Sequence, residues 1–561
     1  MIAMKGLAGA SLVLALMVAP GLSSAKPDFG KPDFGKPDFG KPDFGKPDFG
    51  EQTEQMLRGQ SNRLFGFNNP LEASATIDDV VPRAEATAQE RQLLAGHLRA
   101  EYVARNVAYR ADMIAFWPDD LHYTHLIVCI EGGRADPDVG PVAGLDGQNP
   151  SVQRVNVHTG QVETILFGMS RCDGIRTTQW GTVLATEETD DGHAYEIIDP
   201  LNITGHWIAD RATGDIRDAV GSSTASTNVA QRDALATQAW EGLDTLDSGV
   251  VIGGDELRPE QDTDGGAVFR FVPSAFYDCV GSPVRPGQLC DNTITDLDQS
   301  PLVAGQNYAL FTVCSGTNDD GQGCEYGDEG RWVKVGAATA RADANANGAT
   351  GYCRPEDLHI DRTYGLFAGA DGIRWCWNNT CGGSDGEALC SFESTEATNA
   401  AQEQSLDIGG TVGAINFLSL DGTELAKVDV QRFVENDREM KSHDNLEIQP
   451  FSGNTYIVED YNTINDGGTG GDIWACLPDG TDRDERTDGC VRMLSIADVD
   501  AEPTGFIFDG TGKVAFYNLQ HGSQDESLRD LASNPACDDG ACNGYTDDLI
   551  RITRFRAPRE Y

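Results

Sequence analysis

Basic residues are scarce in this 561-residue chain: 42 Lys and Arg stand against 89 Asp and Glu, a formal net charge of −47. A field of that sign repels nucleic acid and anionic membrane surfaces, so neither is an expected partner. After the first 25 residues no apolar run is long enough to suggest a membrane span. Walker-type phosphate loops, Cys-x-x-Cys pairs and His-Glu-x-x-His helices are all missing. Gly382-Gly383-Ser384-Asp385-Gly386 has the Gly-x-Ser-x-Gly spacing, but it sits in a loop between Cys381 and Cys390. A nucleophile elbow needs a strand-to-helix turn, so that reading is set aside.

What is present points outward from the cytosol. Lys5, the apolar stretch Leu7–Val18 and the small residues Ser23-Ser24-Ala25 have the order of a secretory signal peptide over residues 1–25. Fourteen cysteines agree with an oxidising, periplasmic or secreted location. Cys279/Cys290, Cys314/Cys324, Cys476/Cys490 and Cys537/Cys542 are close enough in sequence to close local loops. Cys353, Cys376, Cys381 and Cys390 can make two more bridges in more than one pattern. Cys129 and Cys172 are left over; they either pair with each other or leave Cys172 free as a ligand.

Residues 26–50 are five copies of Lys-Pro-Asp-Phe-Gly, a composition that cannot build a core and reads as a disordered spacer. Residues 51–110 read as a partly helical N-terminal cap, with Glu85–Tyr109 the helical stretch because it is rich in Ala, Glu, Gln, Leu and Arg. From residue 111 a unit recurs: a polar or acidic residue beside a small or apolar one, an apolar strand, a turn, and a second strand ending in acids or amides. The copies open at Ala111-Asp112, Cys172-Asp173, Trp240-Glu241, Pro355-Glu356, His443-Asp444 and Pro503-Thr504. Their second strands end at Glu131, Glu187-Glu188, Asp255-Glu256, Asp371, Glu459-Asp460 and Gln520. Repeated short strands of this kind predict an all-β chain, a six-bladed β-propeller over 111–561 with loop insertions. A seventh blade would draw on Gly413–Val430. The largest insertion, between Pro273 and Thr350, carries cysteine-rich loops and a helix-like Arg331–Ala346 segment.

In a propeller the first strand of each unit lines the axis, so matching positions converge. Cys172, Glu241, Glu356 and Asp444/Asn445 would then meet despite their separation in sequence. Carboxylates and amides make an oxygen cage for a hard cation such as calcium, whereas a thiolate suits iron or zinc. Between Cys172 and the acids Glu187-Glu188 runs the β-prone Trp180–Thr186; adjacent residues of a strand face opposite ways, so one of the two acids reaches the axis. Arg354 adds a bidentate donor suited to phosphate oxygens. Asp343–Gly348 imitates half an EF-hand loop, but its twelfth position is Arg354 rather than Glu. His443 and His521 are further ligand candidates, though turn histidines more often serve as hydrogen-bonding residues.

These landmarks together resemble the PhoX-type alkaline phosphatases, secreted bacterial propeller enzymes. The resemblance spans roughly residues 110–556: Cys172, Trp180-Gly181-Thr182, Glu187-Glu188, Glu241-Gly242-Leu243, Gly348-Ala349-Thr350, Arg354-Pro355-Glu356, Asp444-Asn445-Leu446, Glu502-Pro503-Thr504-Gly505 and Gln520-His521-Gly522 occur in order. It implies hydrolysis of phosphate monoesters at a mixed iron and calcium cofactor. Cys172 would ligate iron, Glu241 and Glu356 would bridge metals, Asp444 and Asn445 would bind calcium, Glu188 would be a calcium ligand or support one, and Arg354 would hold the phosphate. Two features depart from the family: no Arg occurs in Met1–Ala25, where a twin-arginine signal is common, and Cys353 precedes Arg354. Two other readings stand beside it: a calcium-dependent, lactonase-like propeller hydrolase, which needs neither thiol nor Arg354, and a non-catalytic, calcium-stabilised surface propeller.

Overall fold

The structure is a computed structural model that describes residues 49–135, 148–220, 226–257, 264–280, 289–312, 327–361, 372–380, 387–394, 428–435, 439–478, 489–499, 501–520 and 545–556. All belong to the compact unit Asp48–Tyr561. The signal-like segment, nearly all of the Lys-Pro-Asp-Phe-Gly copies, Cys314, Cys324, Cys381, Cys537, Cys542, His521 and the Gly382–Gly386 loop lie outside the described residues.

Six strands open the repeat units: β1 (Ala111–Trp117), β2 (Cys172–Thr177), β3 (Trp240–Thr245), β4 (Pro355–Ile360), β5 (His443–Ile448) and β6 (Glu502–Phe508). Each packs against the next, and β6 returns to β1, so they close a ring. Antiparallel strands step outward from it. From β2 the order runs through Thr182–Glu187 and Ala194–Ile198 to Val229–Gln231. This is the β-propeller read from the repeats.

The count of separate sheets differs from that expectation. Among the described residues there are five, not six, because the strand Gly327–Val335 joins Val428–Glu435 through the pairs Gly327↔Val430 and Gly330↔Val428. The units opened by β3 and β4 thereby merge into one nine-stranded sheet. Val428–Glu435 lies inside that sheet, between Gly327–Val335 and Glu387–Ser394, while the rest of the stretch considered for a seventh blade, residues 413–427, lies outside the described residues. The helix-like reading of Arg331–Ala346 is also corrected: a strand runs to Val335, and only Ala340–Ala346 is helical. In the fourth unit the second strand is Gly372–Asn379, which begins one residue after the predicted end at Asp371.

Burial explains the strand sequences. Inner strands are covered on both faces by neighbouring sheets, so Thr182–Glu187 and Val251–Asp255 are buried throughout rather than alternating. The core accordingly divides into layers between consecutive units. Ile127 and Val152 meet Ile175 and Val183 in one layer, and Leu310 meets Leu358, Trp375 and Trp377 in another. Truncating one such side chain to Ala costs about 2–5 kcal/mol.

The N-terminal segment corrects a second expectation. Helix Phe49–Leu64 is present, but Glu85–Tyr109 is not an α-helix and holds only the single 3-10 turn Ala88–Glu90. Gln92–Leu94 pairs with Cys490–Ile496, and Arg99–Ala108 pairs with the C-terminal strand Thr546–Thr553. A free sheet edge outweighs the modest helix propensity of those residues, because the edge offers a full ladder of backbone partners. The ring is thus fastened by both ends of the chain.

Cys279–Cys290 and Cys476–Cys490 are bonded as their spacing suggested, and Cys353 and Cys376 are also in disulfides. Among the described residues no helix is long and apolar enough to cross a membrane.

The fastening strands carry a buried ion network. Arg83, 3% exposed, reaches Asp548, 1% exposed, at 2.8 Å; Arg105 reaches the same carboxylate at 3.2 Å. Asp548→Asn leaves Arg83 buried without its counter-ion and is expected to destabilise the fold by roughly 3–5 kcal/mol in urea unfolding. A loss below about 1 kcal/mol would show that the network does not secure the closure.

Candidate metal centre

A shared irregularity builds the axial site. In each of the first five units the pairing of the inner strand with its neighbour skips near the start: between Ala111 and Ile114, Cys172 and Ile175, Trp240 and Leu243, Pro355 and Leu358, His443 and Leu446. Such bulges re-aim side chains. The second residue of each strand lies within the skip, and it is Asp112, Asp173, Glu241, Glu356 and Asp444 in turn.

A second acid comes from the end of the neighbouring strand. The backbone N–H groups of Glu131, Glu188, Glu256 and Asp460 donate to the carbonyls of Arg110, Arg171, Ala239 and Ser442, the residues just before β1, β2, β3 and β5. Arg110, Arg171, Ser442 and also Arg354, just before β4, adopt positive φ. This uncommon conformation of non-glycine residues fixes how the chain enters the strand. Glycines then let the inner strands approach. A Cβ on Gly174 would collide with the carbonyl of Glu241, and one on Gly242 with the backbone of Asp357 and Leu358.

The result is a linked row of carboxylates. Asp173, Glu188 and Glu241 form one group, Glu241, Glu356 and Asp444 a second, and Asp444, Asp460 and Glu502 a third. Within each group the ligand oxygens lie within 4.8 Å of one another. Oxygens around one calcium at about 2.4 Å fall within that separation. Glu241 and Asp444 each belong to two groups, so neighbouring cations would share them.

Electrostatics shows how strongly the site calls for positive charge. Burial, then the charges of Asp173, Glu356 and Asp444, pushes the Glu241 carboxyl well above its ordinary range. Burial comes first for Asp173, Glu356, Asp444 and Glu502 as well, with neighbouring carboxylates adding to it. Glu188 is likewise pushed up by burial and by its hydrogen bond to Glu256. Burial also works against the Glu256 charge, but Glu188 and Arg354 outweigh it and hold Glu256 below the usual value. The two glutamates are thus shifted in opposite directions, Glu188 up and Glu256 down. One side-chain oxygen each of Asp112, Asp173 and Asp444 is buried without a hydrogen-bond partner.

Two arginines flank the row. Arg354 donates through Nε to Glu256 at 2.9 Å and lies 3.3 Å from Glu356, with its side chain 34% exposed. Arg171 lies 2.5 Å from Glu131 and 2.6 Å from Glu188, with its side chain 46% exposed. Both side chains are thus only part-buried, although each guanidinium is ion-paired.

Of the residues singled out from the sequence, the structure brings Glu188, Glu241, Glu356 and Asp444 together with Arg354 beside them. Two candidates fall elsewhere. Cys172 is disulfide-bonded to Cys129, so its sulfur is not a thiolate and does not fit an iron site. The Asn445 side-chain oxygen accepts from the Gly505 N–H at 2.7 Å, which ties β5 to β6 instead of facing the carboxylates. Glu187 is also accounted for: it is fully buried against Arg211 at 2.8 Å. Asp173, Asp460, Glu502 and Arg171 were overlooked. Their signal was in the repeat itself, since Asp173 holds the same place as Glu241 and Glu356, and Asp460 the same place as Glu188.

The site fits hard cations and does not fit a thiolate-bound iron. This gives a pH signature. Carboxyl groups raised in the fold add stability below the unfolded carboxylate range near about 4, and that stability is lost as pH rises through their higher folded values. Protein stripped with EDTA should therefore melt at falling temperature from about pH 4 to pH 8, and added calcium should restore the melting temperature most at the alkaline end. A stripped protein whose melting temperature rises over that range would contradict the electrostatic reading.

No family model matches the chain, and no curated protein matches it. Solved structures do. Pseudomonas fluorescens PhoX in complex with vanadate, a transition-state analogue, shares 15% identity over 88% of this chain and 98% of that one, with a TM-score of 0.49. A protein provisionally called a gluconolactonase matches at 8% identity and TM-score 0.32, over 86% and 97% of the two chains. The PQQ domain of pyranose dehydrogenase from Coprinopsis cinerea matches at 9% identity and TM-score 0.30, over 83% and 98%. At these identities the likeness concerns the fold alone.

Proposed function

We propose that the chain is an exported, metal-dependent hydrolase of phosphate monoesters whose reaction takes place at the axial carboxylates. The observation that carries the reading is the linked row of acids, buried from Asp173 to Glu356 and opening to solvent at Asp460, with Arg354 and Arg171 beside it. Acids alone would repel an anionic ester. Acids that hold divalent cations, with guanidiniums next to them, attract one.

Glu188, Glu241, Glu356 and Asp444, with Asp173, Asp460 and Glu502, would hold calcium or a similarly hard cation. Such an ion supplies Lewis acidity toward a phosphoryl oxygen. The remaining roles belong to side chains. Glu256 fixes the Arg354 fork, and the part-buried Arg354 side chain would donate to equatorial phosphoryl oxygens, where charge gathers as water displaces the alcohol. Glu356 is held in turn by a hydrogen bond from Thr380. The short inner-strand spacing keeps these groups from relaxing away from the axis. Iron has no part in this account, because the sulfur assigned to it is covalently engaged.

A calcium-dependent lactonase-like hydrolase would use the same oxygen donors. Its neutral substrate has no need of two guanidiniums, which is why the phosphate ester is preferred. The disulfides support an oxidising, extracytoplasmic location.

The test compares hydrolysis of an aryl phosphate and of a simple lactone by calcium-loaded protein at alkaline pH. Phosphate release is expected, and Arg354→Ala should lower kcat/KM by about 10²–10³ while leaving bound calcium unchanged. Lactone opening without phosphate release would replace this reading with the second one.

A further inference from the structure

We infer that the second unit offers its cation an Asp173 carboxylate in place of a cysteine thiolate, so that the channel takes hard divalent cations of the calcium type through oxygen donors alone. The inference rests on the reading that the axial acids bind cations, and it specifies which kind.

Three observations carry it. Cys172 and Asp173 are adjacent at the start of β2, and adjacent residues of a strand face different ways. Cys172 packs with Cys129, Ile127, Ile175 and Val183 in the core between the first two units and is bonded to Cys129 there. Asp173, inside the bulge, is the residue that meets Glu188 and Glu241. One position therefore serves packing and the next serves the axis.

The second observation is an oxygen with nothing to bind. Asp173 is 2% exposed, and its Oδ1 has no hydrogen-bond partner. An unpaired buried polar atom costs free energy that a coordinated cation would return. The third is position: Asp112, Glu241, Glu356 and Asp444 occupy the same bulge in their own units and are all carboxylates. Hard oxygen donors around the whole axis select calcium-like ions, whereas a soft sulfur would favour iron or zinc.

The experiment uses the full oxidised chain. Calcium binding is followed by equilibrium dialysis, iron by elemental analysis and visible absorption, and the Cys129–Cys172 linkage by peptide mapping under non-reducing conditions. Wild-type protein is expected to bind calcium, to carry no stoichiometric iron and to yield the linked peptide. Asp173→Asn, nearly the same shape, should lose one calcium equivalent or bind it at least tenfold more weakly, and Asp173→Glu should recover binding. A Cys129→Ser/Cys172→Ser double variant should melt at lower temperature yet keep its calcium.

Calcium binding unchanged in Asp173→Asn, or stoichiometric iron that disappears in Cys172→Ser, would overturn the inference. Should Asp173→Asn fail to fold, iron content and peptide mapping of the wild type still decide it. These readouts need no substrate. A protein that binds calcium through Asp173 but hydrolyses no phosphate ester would sink the proposed reaction and leave this assignment standing.

Discussion

The spacing of the inner strands around the axis is the constraint from which the rest of the structure follows. Gly174 and Gly242 permit backbone to pass against backbone, and the bulge at the start of each strand turns the next side chain inward. Once the strands are that close, acids at matching positions are brought together, with the ligand oxygens of each group within 4.8 Å of one another. The fold must then supply rigidity to keep them there. It does so with apolar layers between consecutive units and with the N-terminal and C-terminal strands paired at the closure.

Holding like charges together is unfavourable by itself, and the cost is met in two ways. Part is met within the protein: Arg171 pairs with Glu188, and Arg354 with Glu256, at the rim of the row. The remainder is the crowding of Asp173, Glu241 and Asp444, and under the proposed cation binding it would make binding and fold stability one coupled equilibrium. Cys129–Cys172 fits the same picture as a covalent brace between the first two units. In the chain-entropy model a loop of 43 residues is worth about 4 kcal/mol.

How much was legible beforehand varies by residue. The all-β repeat was readable from Cys172-Asp173, Trp240-Glu241 and Pro355-Glu356, because a buried strand writes its apolar run into the sequence. Glu241, Glu356 and Asp444 were found by aligning those openings. Asp173 was passed over for Cys172, since a thiol draws attention and the bulge that decides between neighbours leaves no mark in composition. Asn445 looked like a ligand for the same reason; its amide is committed to Gly505 across a strand boundary that only the closed ring creates. The helix expected over Glu85–Tyr109 failed because the partner strand Thr546–Thr553 is some 450 residues away in the chain, beyond any local propensity.

The sequence by itself therefore determined the class of fold, the repeating unit, the acid-rich axis and the local pairs Cys279–Cys290 and Cys476–Cys490, all of which depend on local pattern. Tertiary structure alone decided that the sheets number five, that both termini fasten the ring, and that Cys172 turns to Cys129 while Asp173 turns to Glu188 and Glu241. The physical reason is the same in each case. Which way a side chain faces at a bulge, and which distant edge a strand completes, are settled by contacts between residues that the chain order keeps far apart.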